Sequence, residues 1–361
     1  MKYLPLAFVS TAEEPGKFFD SSKEIFKREG LIQEEYTEKE FLDYVFSDTF
    51  LKPSYRGKFE LLNHRMTEAP YIRAFLRMSP SDLRNPDISL TTEWRDMLSI
   101  GIITDRWSLN KQVYKLDKEF AHALENTDRL IISKNAVKHL PCNPFYVDLE
   151  DCPQYGTIKG AYVYVYQKDD FCQIAIYMLR GDLLVFSYYN EGYFNADGLI
   201  EGDADIMPSV NYVSPLVFET LKPEQLQTGY MPKDKVAKLI MQFINYLGSA
   251  KPDVEENPHT KSTYRPSKTV RNKFSEIRQW DVGVRYGKSI RALSEKKTYD
   301  RKESKEENKE VKERKPVRPH YRCAHWHRYW TGQGRTKLEF KWLEPTLVGV
   351  GETDVVIHSV K

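Results

Sequence analysis

The sequence predicts an α+β fold: a helical amino-terminal region packed with an antiparallel sheet, plus a small basic carboxy-terminal module containing a β-hairpin. Three observations predict it. Up to about Asn135, apolar residues recur among acids at helical spacing. Between Gly160 and Tyr189, three β-rich runs are joined by short polar turns. From Thr336, "TKLEFKWLEP" alternates Leu338, Phe340 and Trp342 with Lys337, Glu339 and Lys341, directly after a turn bearing Gly332 and Gly334.

Each element has its own warrant. "SSKEIFKREGL" opens on serines suited to capping, and "TEKEFLDYVFSDTFL" places Phe41, Leu42, Tyr44, Val45 and Phe46 among acids. "TTEWRDMLSIGII" and "DKEFAHALENTDRLII" read as further helices. "HLPCNPFYVDLEDCPQYG", punctuated by Gly and Pro, reads as a loop or extended connection. In "GAYVYVYQ", Tyr162, Tyr164 and Tyr166 alternate with Val163 and Val165, and "FCQIAIYML" puts Cys172, Ile174, Ile176 and Met178 on one face. With "LLVFSYY" these runs make an antiparallel meander that helices must cover on one face. The acidic "EGDAD" from Glu201 to Asp205 lacks calcium-loop spacing and reads as a solvated turn. "PKDKVAKLIMQFINYLGSAKP" is a well-signalled helix, with Pro232 at its start, a stripe of Val236, Leu239, Ile240, Phe243, Ile244 and Leu247, and Gly248 at its end.

Three regions follow: 1–250 as an acidic α+β domain and candidate peptide-recognition region, 251–269 as a Pro-rich polar linker, and 270–361 as a basic module. Residues 295–315 interrupt that module. Sixteen of these 21 residues are charged and Val311 is the only aliphatic one, so the segment cannot bury enough surface to fold alone and reads as a flexible insertion.

Composition bounds the partners. The net charge of +2 hides a division: Lys251 to Lys361 carry 26 Lys+Arg against 16 Asp+Glu, or +10, and residues 1–250 carry 28 against 36, or −8. The basic end suits phosphate and the acidic end a basic peptide, unless the halves attract each other. Cys142, Cys152, Cys172 and Cys323 show no CxxC spacing, which fits free thiols in a reducing compartment. "MKYLPLAFVSTAEEP" reads as a first structural element, because its apolar run is brief and no small-residue cleavage pattern follows. No run approaches the roughly 18 apolar residues that a membrane span needs.

The chemistry concentrates in "RPHYRCAHWHRYWTGQGR", Arg318 to Arg335, with three of the eight histidines, four arginines, two tryptophans and no acid. The candidate nucleic-acid-binding residues are Arg318, His320, Arg322, His325, Trp326, His327, Arg328, Trp330 and Arg335. On a strand, Tyr321, Cys323, His325, His327 and Tyr329 share one face, and Arg322, Trp326, Arg328 and Trp330 share the other. Zinc accepts Cys and His together, but ligands two apart on one strand rarely complete a tetrahedron, and there is no second Cys/His cluster. No metal or other cofactor is therefore expected. A His pair could act as base and acid on RNA, yet no local acid orients either imidazole, and no catalytic residue is assigned. Two readings stay level: arginines on phosphates with rings stacked on unpaired bases, or Arg–Trp and His–Trp stacks that hold a small module together.

"QWDVGVRYGKSIRAL" at Gln279 to Leu293, the charged spacer, "RPHYRCAHWHRYWTGQGR" and "KWLEPTLVG" together resemble the carboxy-terminal signature of a phage- and plasmid-borne family of type V-A anti-CRISPR proteins. These proteins lower the amount of the type V effector nuclease rather than block the finished enzyme. The resemblance implies action in the cytoplasm of a bacterial host, recognition of the amino-terminal part of the nascent effector nuclease, and loss of its mRNA. Such a task needs one contact to a peptide and another to mRNA, the ribosome or a nuclease. It implies a binding inhibitor more than an enzyme, no membrane, and leaves a homo-oligomer open. It assigns no role to His320, Arg322, His325, Trp326, His327 or Trp330 beyond membership of the signature. A directly RNA-cleaving or RNA-binding protein of a mobile element and a structural phage or plasmid protein remain the alternatives.

Overall fold

The computed structural model of the chain describes residues 16–28, 35, 37–46, 92–127, 131–180, 185–201, 212–213, 233–249, 251–257, 277–292, 320–322, 325–335, 337–343 and 346–348. Helices α1 (Lys17–Arg28), α2 (Glu38–Phe46) and α3 (Thr92–Asn110) form one layer. α2 opens on a capping box. The Thr37 amide donates to the Glu40 carboxylate at 2.7 Å, and the Glu40 amide donates back to Thr37 Oγ1 at 3.3 Å. α1 is capped from a distance: the buried Asp105 of α3 accepts from the Gly16 and Phe19 amides at 2.8 and 2.9 Å. Phe19 and Phe26 then meet Phe41 edge-on, with centroids 5.3 and 5.2 Å apart.

The sheet has eight strands in the order β8–β6–β5–β4–β3–β1–β10–β9. These are β1 (Gln112–Leu116), β3 (Phe145–Asp148), β4 (Ile158–Lys168), β5 (Phe171–Arg180), β6 (Val185–Tyr193), β8 (Tyr212–Val213), β9 (Val254–Glu256) and β10 (Arg278–Val282). β3, β1 and β10 run parallel, and every other neighbouring pair is antiparallel. The expected meander is β4–β5–β6. Ala161, Val163 and Val165 share a core with Cys172, Ile174, Ile176 and Met178, the face expected of β5. That core is closed by α4 (Lys118–Glu125) and α6 (Lys233–Leu247), whose predicted apolar stripe is buried throughout. On the opposite face, Trp107 of α3 meets Tyr162 edge-on at 5.3 Å. Both faces are therefore covered, which is why β4 and β5 are buried along almost their whole length.

Two expectations are corrected, those for β1 and for Ile131–Ser133. "QVYKL", inside the stretch expected to be helical, is the interior strand β1: it buries Val113, Tyr114 and Leu116, contains a β-branched residue, and is too short for a helix between Asn110 and Asp117. The end of "DKEFAHALENTDRLII" is strand β2 (Ile131–Ser133), paired with β7 (Leu199–Glu201). Asn245 of α6 secures β2, accepting from the Ser133 amide at 3.0 Å and donating to the Ile131 carbonyl. The loop or extended connection expected before Gly156 contains β3, which fills the place between β1 and β4. The sheet also draws on the segment 251–269. Val254–Glu256 inside it forms β9, and β10 beyond it lies against β1 over five residue pairs, because an interior parallel strand must be paired on both sides. Residues 295–315 and 202–205 lie outside the described residues.

Short pieces complete the order: α5 (Lys134–Lys138), the helix α7 at 284–292, β11 (His320–Arg322), β12 (His325–Thr331), β13 (Lys337–Leu343) and β14 (Thr346–Val348). Cys142, Cys152 and Cys172 are free thiols, and burial pushes them up to about 11, 12 and 12 respectively. Cys323 lies outside the described residues. No described helix is long and apolar enough to cross a membrane.

Candidate nucleic-acid interface

The hairpin predicted around "TGQGR" forms. Gly332 and Gly334 both adopt positive φ, 81° and 76°, which a tight reversal requires and glycine alone enters without strain. β12 pairs with β13 in a register that sets His325 opposite Leu343, Trp326 opposite Trp342, His327 opposite Lys341 and Tyr329 opposite Glu339. β11 pairs with β14 in the same register, His320 opposite Val348 and Arg322 opposite Thr346, so both pairings belong to one hairpin.

Alternation divides the side chains as expected, and the two faces have different fates. Trp326 and Trp342 meet edge-on at 5.1 Å and pack against the core. The Trp326 indole N–H donates to Oε1 of the buried Gln242 on α6 at 2.7 Å, and Trp342 lies edge-on to Tyr246 of the same helix at 6.4 Å. This end of the hairpin is docked. Further toward the turn, roughly 13 Å along the strand at ~3.3 Å per residue, Trp330 is 52% exposed and Arg328 is exposed.

The other face carries His325, His327 and Tyr329 as a ladder. Their ring centroids stand 6.5 and 4.4 Å apart, inclined at 59° and 39°. His327 is exposed, Tyr329 is 38% exposed, and Lys341 opposite His327 is exposed. Of the nine candidate residues, five are thus brought onto one strand: His325, Trp326, His327, Arg328 and Trp330. His320 and Arg322 occupy β11 and Arg335 ends the turn, but their side chains, and Arg318 altogether, lie outside the described residues. Tyr329 belongs with the five. Its place was readable from the alternation although it was not singled out.

A second polar site was not foreseen. A cleft of about 300 Å³ opens where the parallel strands β1 and β10 end, lined by Lys115, Asp117, Asp151, Asn257, Gln279, Asp281 and Arg291 among others. Its groups are largely occupied with one another. Lys115 pairs with Asp151 at 2.7 Å, Arg291 with Asp117 at 2.9 Å, and Asp281 accepts from Asn257 and Gln279 at 2.7 and 2.9 Å. Asp117 also caps α4 through the Glu119 amide at 2.9 Å. The backbone closes tightly here, since a Cβ on Gly287 would stand 2.1 Å from the Asp117 carboxylate. Residues 279–292 are therefore architectural, binding β10 and α7 to β1 and α4. Among the described residues, no group of three or more His, Cys, Asp and Glu is placed to hold a metal ion.

No curated protein matches the chain. The family model for AcrVA2-like proteins, the anti-CRISPR type V subtype A2 family, matches residues 114–350, a span that starts inside β1 and takes in the cleft and the whole hairpin. With well over half its length matched, the chain belongs to the AcrVA2-like family of type V anti-CRISPR proteins.

Proposed function

We propose that this protein suppresses type V-A CRISPR immunity from within the bacterial cytoplasm by recognising the amino-terminal part of the nascent effector nuclease and promoting loss of its mRNA. The hairpin contacts the message or the translation machinery. The observation that carries this reading is the division of labour on β12: Trp326 is committed to the core, while His327, Arg328, Tyr329 and Trp330 are exposed. A hairpin that served only as its module's core would bury both indoles.

Peptide capture is assigned to the sheet. Among the described residues, β8 pairs with Val185 and Phe186 alone, so β6 from Ser187 to Tyr193 has a ladder partner on one side only. Such an edge suits strand addition by an extended peptide. The −8 balance of residues 1–250 would favour a basic one.

The test is to express the chain beside a type V effector and to follow effector protein and effector mRNA together. Both are expected to fall, and recoding the effector's first codons to a different peptide is expected to abolish the effect. Loss that survives such recoding, or protein loss with an intact message, would overturn the proposal.

A further inference from the structure

We infer that the His325–His327–Tyr329 ladder is a stacking platform for a short run of unpaired RNA, with Lys341 beside it on a phosphate. This rests on the proposed RNA contact and names both the face that makes it and the form of RNA bound. Four features converge on the ladder. First, the hairpin's other face is fastened to α6 through Trp326 and Trp342, which leaves the ladder as the face directed away from that helix. Second, three rings follow at every second residue, and each flat π-face accepts a base whatever its identity.

Third, the spacing suits the ligand. The 6.5 Å between the imidazoles of His325 and His327 is close to two stacking distances of roughly 3.4 Å each, the rise per nucleotide in a stacked strand. One base fits between these rings once their 59° inclination relaxes, and the terminal torsion of histidine is soft enough to allow that. His327 and Tyr329, at 4.4 Å, already stack on each other and offer their outer side to a neighbouring base. Fourth, the charge is complementary. Arg318 to Arg335 contains no acid, and the register puts Lys341 across from His327 and Lys337 across from Thr331, with Glu339 across from Tyr329. A duplex hides its base faces inside the helix, so this platform discriminates against it.

The test measures binding of the full chain to a fluorescent unstructured RNA of about ten nucleotides and to a blunt RNA duplex, by anisotropy at low and moderate salt. The unpaired strand should bind, more weakly as salt rises, and the duplex should bind at least tenfold more weakly. Tyr329→Ala and His327→Ala should each weaken single-strand binding about 5- to 150-fold, the effect of one lost base stack. Lys39→Ala, an exposed lysine of α2 outside the hairpin, should change it less than twofold, and Trp330→Ala, which reports on the opposite face of β12, should weaken it less than either ladder variant. Equal binding of duplex and single strand overturns the platform, as does a loss that follows Trp330 while the ladder variants bind normally; in both cases the proposed RNA contact stands. Absence of binding to either RNA removes both. Thermal unfolding of each variant guards against misfolding, and Tyr329→Phe, which keeps the ring, should bind like the parent.

Discussion

Asp105 shows how much one side chain can carry. It caps α1 from 86 and 89 residues away, and burial lifts its carboxyl from an ordinary value of 3.8 to about 6 despite the two amides that favour the anion. Between those values the native state keeps a proton that the unfolded state has released. The stability it contributes is complete below pH 3.8 and is lost as the pH rises through about 6. Compared with Asp105→Asn, the parent should lose up to about 3 kcal/mol between pH 4 and pH 7, read by urea unfolding at each pH; parallel curves would refute the assignment. Gly283 is another single-residue constraint. Its φ is +72°, and a Cβ there would stand 2.2 Å from the Phe120 ring. Gly283→Ala should therefore cost more than about 2 kcal/mol, seen as a lower Tm. Residue-level legibility follows range. The Thr37–Glu40 box is three residues long and readable, whereas nothing local connects Asp105 with Gly16.

At the scale of elements, strong periodicity was legible and short buried strands were not. The β5 face, the α6 stripe and the hairpin were readable because each repeats an apolar residue at period 2 or 3.6 over a long run. β1 and β3 have only five and four residues, and strands buried on both faces show no alternation to read. The hairpin's two faces were equally readable, but which of them docks depends on Gln242, 84 residues away. Trp326→Ala should cost about 2 to 4 kcal/mol in chemical unfolding by removing both ring packing and the bond to Gln242. Trp330→Ala should stay within about 0.5 kcal/mol, as suits an exposed ring. Similar costs for the two would mean that the docked and displayed ends are not distinct.

For the whole molecule, the sheet joins strands from both sides of the Pro-rich stretch 251–269. Trp280 donates to the Gln112 side chain at 2.6 Å across 168 residues, and Val282 and Tyr286 enter the same core as Phe120 and Phe243. A fragment of residues 1–250 should therefore fail to fold, leaving β1 open along one side, and should elute as aggregate in size-exclusion chromatography. A monodisperse, cooperatively melting fragment would contradict this. Charge reports on partners and says little about which strands lie together.

The β1–β10 pairing also limits how such a gene can be shuffled. A recombination event that grafts foreign codons upstream of residue 250 brings in a new β1, which must still meet the resident β10, Asp117 must still receive Arg291, and the Phe120 ring must still tolerate Gly283. Exchange of whole halves between related genes would thereby be penalised. Single substitutions on exposed edges leave the seam intact.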